Sequence, residues 1–133
     1  MDLKFGYTLH RTALVYSYLK PGAVFLLSWE HPVFHCLSYN AELGKYVLSQ
    51  SYVKEGPELH STWKGVEIVI NHHKLSTYLN TLVQSGLLIE QVIESEPNVA
   101  LAREQDFDPA NWYSVPRARV IPTTFIVKAR KPE

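Results

Sequence analysis

The stretch Tyr18-Leu-Lys-Pro-Gly-Ala-Val-Phe-Leu-Leu-Ser-Trp-Glu-His-Pro32 decides the fold class. Its first residues end a helix. Lys20 suits the negative helix end, Pro21 cannot continue a helix, and Gly22 accepts the positive φ of a tight reversal. Ala23 to Trp29 is apolar at nearly every position, the pattern of a strand covered on both faces by helices. Glu30, His31 and Pro32 then open a polar loop. Ligands of open α/β sheets bind at the carboxyl ends of the strands, so Trp29, Glu30 and His31 are the first candidate substrate-binding residues.

Outward from this stretch, Leu9, Ala13, Tyr16 and Leu19 form an apolar stripe that predicts a helix over 8–20, capped by Thr8. Residues 33–65 scatter tyrosines and valines among Asn40, Gly44 and Lys54-Glu-Gly-Pro57. They read as a β-rich insertion, with short, partly exposed strands within 37–54 or a long excursion joined by turns. Such an insertion either shapes a pocket or only covers the core. The β-branched run Val66 to Asn71 predicts a strand. Leu75, Tyr78, Leu79, Leu82 and Val83 fall on one face of a helix over 75–86, with Ser76 as its cap and Gly86 as its left-handed closing residue. Strands follow at 87–94 and 123–129, separated by a short helix near 98–105 and a proline-rich loop over 106–122. The sum is a single α/β domain with one small mixed sheet.

Thirteen basic and thirteen acidic residues leave the net charge near zero, so no basic field exists to gather nucleic acid. The longest apolar run, Ala23 to Leu27, is too short for a bilayer, and no membrane partner is expected. Met1-Asp-Leu-Lys-Phe-Gly6 lacks the pattern of a signal peptide. Cys36, the single cysteine, fits a reducing cytoplasm. His31, His35 and Cys36 are possible zinc donors without a fourth ligand nearby, and no metal site is expected. A G-x-S-x-G elbow is absent, which gives hydrolase chemistry little support. His72 and His73 precede a helix start, where they either line a pocket or bond to backbone.

Four pieces stand in one order: Leu19-Lys-Pro-Gly22 with its apolar strand, Ser28-Trp-Glu-His-Pro32, His73-Lys-Leu-Ser-Thr-Tyr-Leu-Asn80 with Ser85-Gly86, and Phe125-Ile-Val-Lys-Ala-Arg-Lys-Pro132. Together they resemble the carboxyl-terminal half of the class I S-adenosylmethionine-dependent methyltransferases, small-molecule branch. That family has an LKPGG turn, an S-x-E-H-P loop, an H-R-x-L-S-x-Y-x-N helix start, an AGF turn and an ARKP finish. Here Ala23 replaces the second glycine, Lys74 the arginine, and Ser85-Gly86-Leu87 the AGF. The resemblance spans about residues 9–132. It implies a truncated Rossmann-like sheet in which the 123–129 strand lies antiparallel between 23–29 and 87–94. It also implies an acceptor pocket shaped by the Glu30-His31 loop and by His73, and a small-molecule methyl acceptor.

The cofactor half of that pattern is missing. The six glycines stand at 6, 22, 44, 56, 65 and 86, so no G-x-G-x-G turn exists in this sequence. S-adenosylmethionine is thus implied by the resemblance alone, with no cofactor-binding residue expected in this chain and no residue assigned as catalytic. The expectation is a methyltransferase-like chain that is inactive alone or needs a cofactor-binding partner half, whether a split protein or a shortened relative. The alternative is a non-catalytic binding or assembly module. In either case the 23–29 strand becomes an exposed apolar edge, which predicts a homodimer or a partner chain there.

Overall fold

The computed structural model describes residues 3–133, with the backbone alone for residues 3–9, 62 and 63. Helix α1 (Leu3–Tyr18) leads into strand β1 (Val24–Glu30), which a tight turn at Phe34–Cys36 follows. Two hairpins come next, β2 (Leu37–Asn40) with β3 (Lys45–Leu48), and β4 (Gly56–Trp63) with β5 (Val66–His72). Helix α2 (Leu75–Gln84), strand β6 (Leu88–Glu94), the one-turn helix α3 (Val115–Ala118) and strand β7 (Thr124–Arg130) complete the chain. Among the described residues no helix is long and apolar enough to cross a membrane.

The main sheet has the order β1-β7-β6, with β7 antiparallel to both neighbours. This is the arrangement expected from the sequence. Phe25 faces Ala129 and Leu27 faces Val127 across one ladder, while Ile89 faces Ala129 across the other. The alternate residues Phe125, Val127 and Ala129 turn to the helices and bury completely with Leu82 and Leu87. Tyr16, Leu19, Tyr78 and Leu79 close around them. Each fully buried large side chain here contributes roughly 1.5–3 kcal/mol.

One glycine turns the chain into β1, a second closes α2, and a lysine holds the end of α1. Gly22 has φ +76° and Gly86 φ +94°. A Cβ on Gly86 would also stand 3.1 Å from the Tyr16 ring, so both conformation and space require glycine there. Lys131, just past β7, donates to the carbonyls of Tyr16 (3.0 Å) and Leu19 (2.9 Å) and lies over the Tyr16 ring. Its charge thereby meets the negative end of α1.

Several expectations change. β1 is covered on one face only: Val24 and Leu26 (64% exposed) point away from the helices, and so does Leu88 (58%). The apolar run carries no alternation because β1 is apolar on its far side too, at Val24 and Leu26, although their β7 neighbours there are Arg130 and Lys128. Helix α1 runs Leu3–Tyr18, so Thr8 lies inside it and is not its cap. The strands do not share one sheet. β5 pairs with β4, a strand the sequence did not reveal, and β2 pairs with β3. Between β4 and β5, Lys64 (φ 48°) and Gly65 (φ 77°) form a two-residue turn with both residues left-handed. Residues 98–107 hold two 3-10 turns in place of a helix, and the 106–122 loop contains α3, with Pro116 in its first turn.

Helix α2 starts at Leu75, but Ser76 is not its cap. The free amides at its start go to the insertion instead. Lys74 N donates to Glu55 Oε2 (3.1 Å), and Leu75 N to the Tyr52 hydroxyl (3.1 Å). The insertion is thereby pinned to α2, and the pinning positions the site.

Candidate functional site

A cavity of about 80 Å³ opens at the carboxyl end of β1. β1 brings Trp29 and Glu30, the end of β5 brings Ile70, Asn71 and His72, and α2 brings Tyr78. His73, between β5 and α2, and Trp112, from the loop before α3, complete the polar and aromatic walls, with His35 and His60 from the insertion. A second cavity of about 540 Å³ lies between α1, β1, β5 and α2. Trp29, Ile70, Asn71, His73 and Tyr78 line both. The smaller space equals only two or three water volumes, whereas the larger one falls in the range of small-molecule pockets. Phe25, Leu27 and Val69 give the larger space an apolar lining.

Four of the five residues singled out in the sequence, Trp29, Glu30, His72 and His73, come together in this wall. His31 does not. It is 5% exposed. Val33 N donates to its Nδ1 (3.2 Å), so Nε2 carries the ring proton in the neutral form and donates to Glu94 Oε1 (2.7 Å). His31 thus ties the β1 loop to the end of β6 and closes the loop rather than facing the cavity.

Glu30 is aimed by aromatic donors. Trp112 Nε1 (3.2 Å) and the Tyr113 hydroxyl (3.0 Å) both donate to its Oε2. Burial pushes the Tyr113 phenol up, and the Glu30 charge adds to this, so the hydroxyl stays a donor. Trp112 is itself held by Arg117, whose guanidinium lies 4.0 Å from its ring and 4.6 Å from the Phe34 ring. Arg117 Nη2 donates to the carbonyls of Phe34 (2.8 Å) and Leu37. One buried cation thereby joins the loop before α3 to the turn after β1.

Across the cavity His35 and His72 are kept neutral. His35 and His72 stack with centroids 3.9 Å apart and planes at 22°. Burial first, then the neighbouring His72, lowers His35 to about 4. Burial also lowers His72, against the opposing pull of Glu58. His73 Nδ1 lies 3.3 Å from Glu55 Oε2, and its ring meets the Tyr78 ring edge-on. Burial, with the Glu55 charge, raises Tyr78 to about 12. The wall therefore sets the aimed Glu30 side chain and two neutral imidazoles, His35 and His72, beside a phenol that keeps its proton.

The possible zinc donors His31, His35 and Cys36 do not assemble. His31 turns to Glu94, and His35 stacks on His72, with its Nε2 3.7 Å from Cys36 Sγ. Sequence reasoning did not single out Tyr78, Trp112, Glu55 or His60 as site residues. Glu55 stands just before Gly56-Pro57 and Trp112 just after Asn111, and neither setting marks a ligand wall in sequence.

No known family profile matches the chain, and neither does any curated protein. Solved structures do. The chain aligns over 92% of its length with a protein from Listeria monocytogenes assigned as an S-adenosylmethionine-dependent methyltransferase, at 26% identity and TM-score 0.67. It aligns over the same 92% with an S-adenosylmethionine-dependent methyltransferase of Mesorhizobium loti, at 30% identity and TM-score 0.67. This is a partial methyltransferase fold. The chain spans about half the length of each relative, 53% and 55%.

The described residues do not form a cradle for the cofactor of those enzymes. A nucleotide-type cofactor needs a glycine turn between a strand end and a helix start. Here Gly22 turns the chain from α1 into β1, Gly86 closes α2, Gly44 and Gly65 turn hairpins, and Gly56 opens β4. None sits in such a crossing.

Proposed function

We propose that this chain supplies the acceptor side of an S-adenosylmethionine-dependent methyltransferase of the small-molecule branch, and that the cofactor-binding half comes from other residues than these. One observation carries the reading: Trp29, Glu30, His72, His73 and Tyr78 converge at the carboxyl end of β1, and β1 is an edge strand of the sheet. A cofactor half joined at that edge would meet the acceptor across Trp29.

In this reading the acceptor lays its apolar body along Phe25, Leu27 and Val69 and presents an oxygen, nitrogen or sulfur nucleophile to the smaller cavity. Glu30 takes the proton from that atom, which leaves the lone pair free for transfer. Trp112 and Tyr113 keep the carboxylate aimed, and Tyr78 donates to a substrate oxygen. Trp29 and Trp112 exclude water from the reacting end.

Calorimetry with S-adenosylhomocysteine tests this. These 133 residues alone should give no heat of binding, and the same chain joined to a polypeptide bearing a G-x-G-x-G turn should bind. Tight binding by the chain alone would overturn the division of labour.

One observation favours a second reading, a homodimeric binding module without catalysis. The far face of the sheet exposes Val24, Leu26 and Leu88 beside the free β1 edge, a surface a second copy could cover. Solution scattering separates the two readings. A dimer that still binds no cofactor when offered the missing half favours the module, whereas a compact monomer removes it.

A further inference from the structure

The hairpin β4–β5 carries a cluster of which the acceptor reading uses only the place of His72 in the cavity wall. Its register sets Gly56 opposite His72, Glu58 opposite Ile70, and His60 opposite Ile68. Glu58 and His60 are two apart on one strand, and His72 lies diagonally across from Glu58, so all three side chains project from the same face. One donor atom from each lies within 4.8 Å of the others. His72 Nε2 is 3.0 Å and His60 Nε2 3.9 Å from Glu58 Oε2.

We propose that Glu58, His60 and His72 bind a single divalent transition-metal ion, with Zn²⁺ the best fit. The separations are close to those of a tetrahedral zinc site, where ligands about 2.0–2.1 Å from the metal stand roughly 3.3 Å from one another. The two nitrogens also lack any other use. Both Nε2 atoms are buried and make no well-formed hydrogen bond; each instead approaches the Glu58 carboxylate. Buried imidazole nitrogens ordinarily find a partner, and the shared direction of these two is toward one carboxylate oxygen. Two imidazoles and a carboxylate select zinc and its first-row neighbours over magnesium or calcium, which take oxygen ligands.

Three protein ligands leave a coordination position open. His60 and His72 line the small cavity beside Trp29, Glu30 and Trp112, so that position faces the cavity and takes water or a donor atom of a small molecule. The His35 ring, stacked on His72, packs behind the ligand and holds its plane. The ion site stands on the hairpin alone and does not depend on the methyl-transfer reading.

The test uses the full 133-residue chain, stripped with chelator and titrated with Co²⁺ and then Zn²⁺. One Co²⁺ per chain should bind with visible d–d absorption and be displaced by Zn²⁺. The double variant His60→Ala/His72→Ala should lose more affinity than the roughly 10–100-fold that loss of an outer-shell partner costs, while His10→Ala, an exposed histidine on α1, should leave it unchanged. Should the double variant misfold, two measurements still decide: Glu58→Gln, and the imidazole resonances of the unaltered chain, in which His60 and His72 should shift with one equivalent of Zn²⁺. Equal affinity in the parent and the histidine variants, or resonance shifts confined to other histidines, would refute the site.

Discussion

Thr77 Oγ1 donates to Glu55 Oε2 at 2.7 Å, and this contact ties the insertion to the first turn of α2. The same oxygen receives the Lys74 amide and lies 3.3 Å from His73. Burial of Glu55 opposes its charge, but the hydrogen bonds from Thr77, the Lys74 amide, His73 and Lys74 outweigh it and hold the carboxyl below its usual range. Glu55 acts as a helix cap delivered from twenty residues upstream.

Glu55→Ala should therefore cost about 1–2 kcal/mol, the range of a lost cap, or roughly 4 °C in Tm per kcal/mol for a chain of this size. The sign of the pH effect follows from the depressed folded value. The contribution is complete above the ordinary value of 4.5 and is lost as the pH falls through the folded one. Thermal unfolding of the parent and the variant should converge in acid. An unchanged gap down to strongly acidic pH would contradict the assignment.

His35 gives a second pH effect in a higher window. Its folded value is lowered from 6.5 to about 4, so between those values the unfolded chain binds the proton more readily. The stabilising effect is full above pH 6.5 and is lost as the pH falls toward 4. His72, also lowered by burial, acts in the same direction. Urea unfolding in the presence of chelator should show the midpoint dropping across this window. His35→Phe, which keeps a stacked ring, should flatten the drop.

Arg117 is the buried clamp of the pocket wall. Arg117→Met leaves the Phe34 and Leu37 carbonyls without that donor, at a cost of about 1–3 kcal/mol. Arg117→Lys should be nearly as costly, because an ammonium lacks the planar fork that lies between two rings. Urea denaturation measures both. A lysine variant as stable as the parent would show that charge alone suffices.

Leu26 tests the open sheet face. It stands opposite Lys128 on β7, so Leu26→Glu places a carboxylate beside an ammonium and should leave the folded chain intact. If this face is covered by a second copy, the substitution should weaken self-association at least about tenfold, the equivalent of burying one leucine. Light scattering over a concentration series reads the change, and equal dimerisation in both proteins would exclude the face as the contact.

The order of elements was legible in sequence wherever one local rule was strong. Lys20-Pro-Gly22 and Gly86 end helices by backbone conformation, and Leu75, Tyr78, Leu79 and Leu82 state the period of α2. The strands at 24–30, 88–94 and 124–130 were legible within a residue or so, whereas the central place of β7 followed from the methyltransferase resemblance and from no local rule. β4 was not legible. Glu58, His60 and Ser61 interrupt its apolar pattern, and its turn uses Lys64 where asparagine or aspartate would have signalled a hairpin. For the same reason β5 was assigned to the wrong sheet.

The site was half legible. By itself the sequence determined that Trp29, Glu30, His72 and His73 stand at strand and helix ends, because proline, glycine and apolar period mark those ends locally. It also determined that no glycine-rich cofactor turn lies among these residues. Only the tertiary structure decided that His31 turns inward to Glu94, that Glu55 caps α2, and that Glu58, His60 and His72 share one face of a hairpin. Those contacts join residues 14 to 63 positions apart. Their geometry depends on strand register and on which side of a loop faces the core, and neither quantity is written in any short window of the chain.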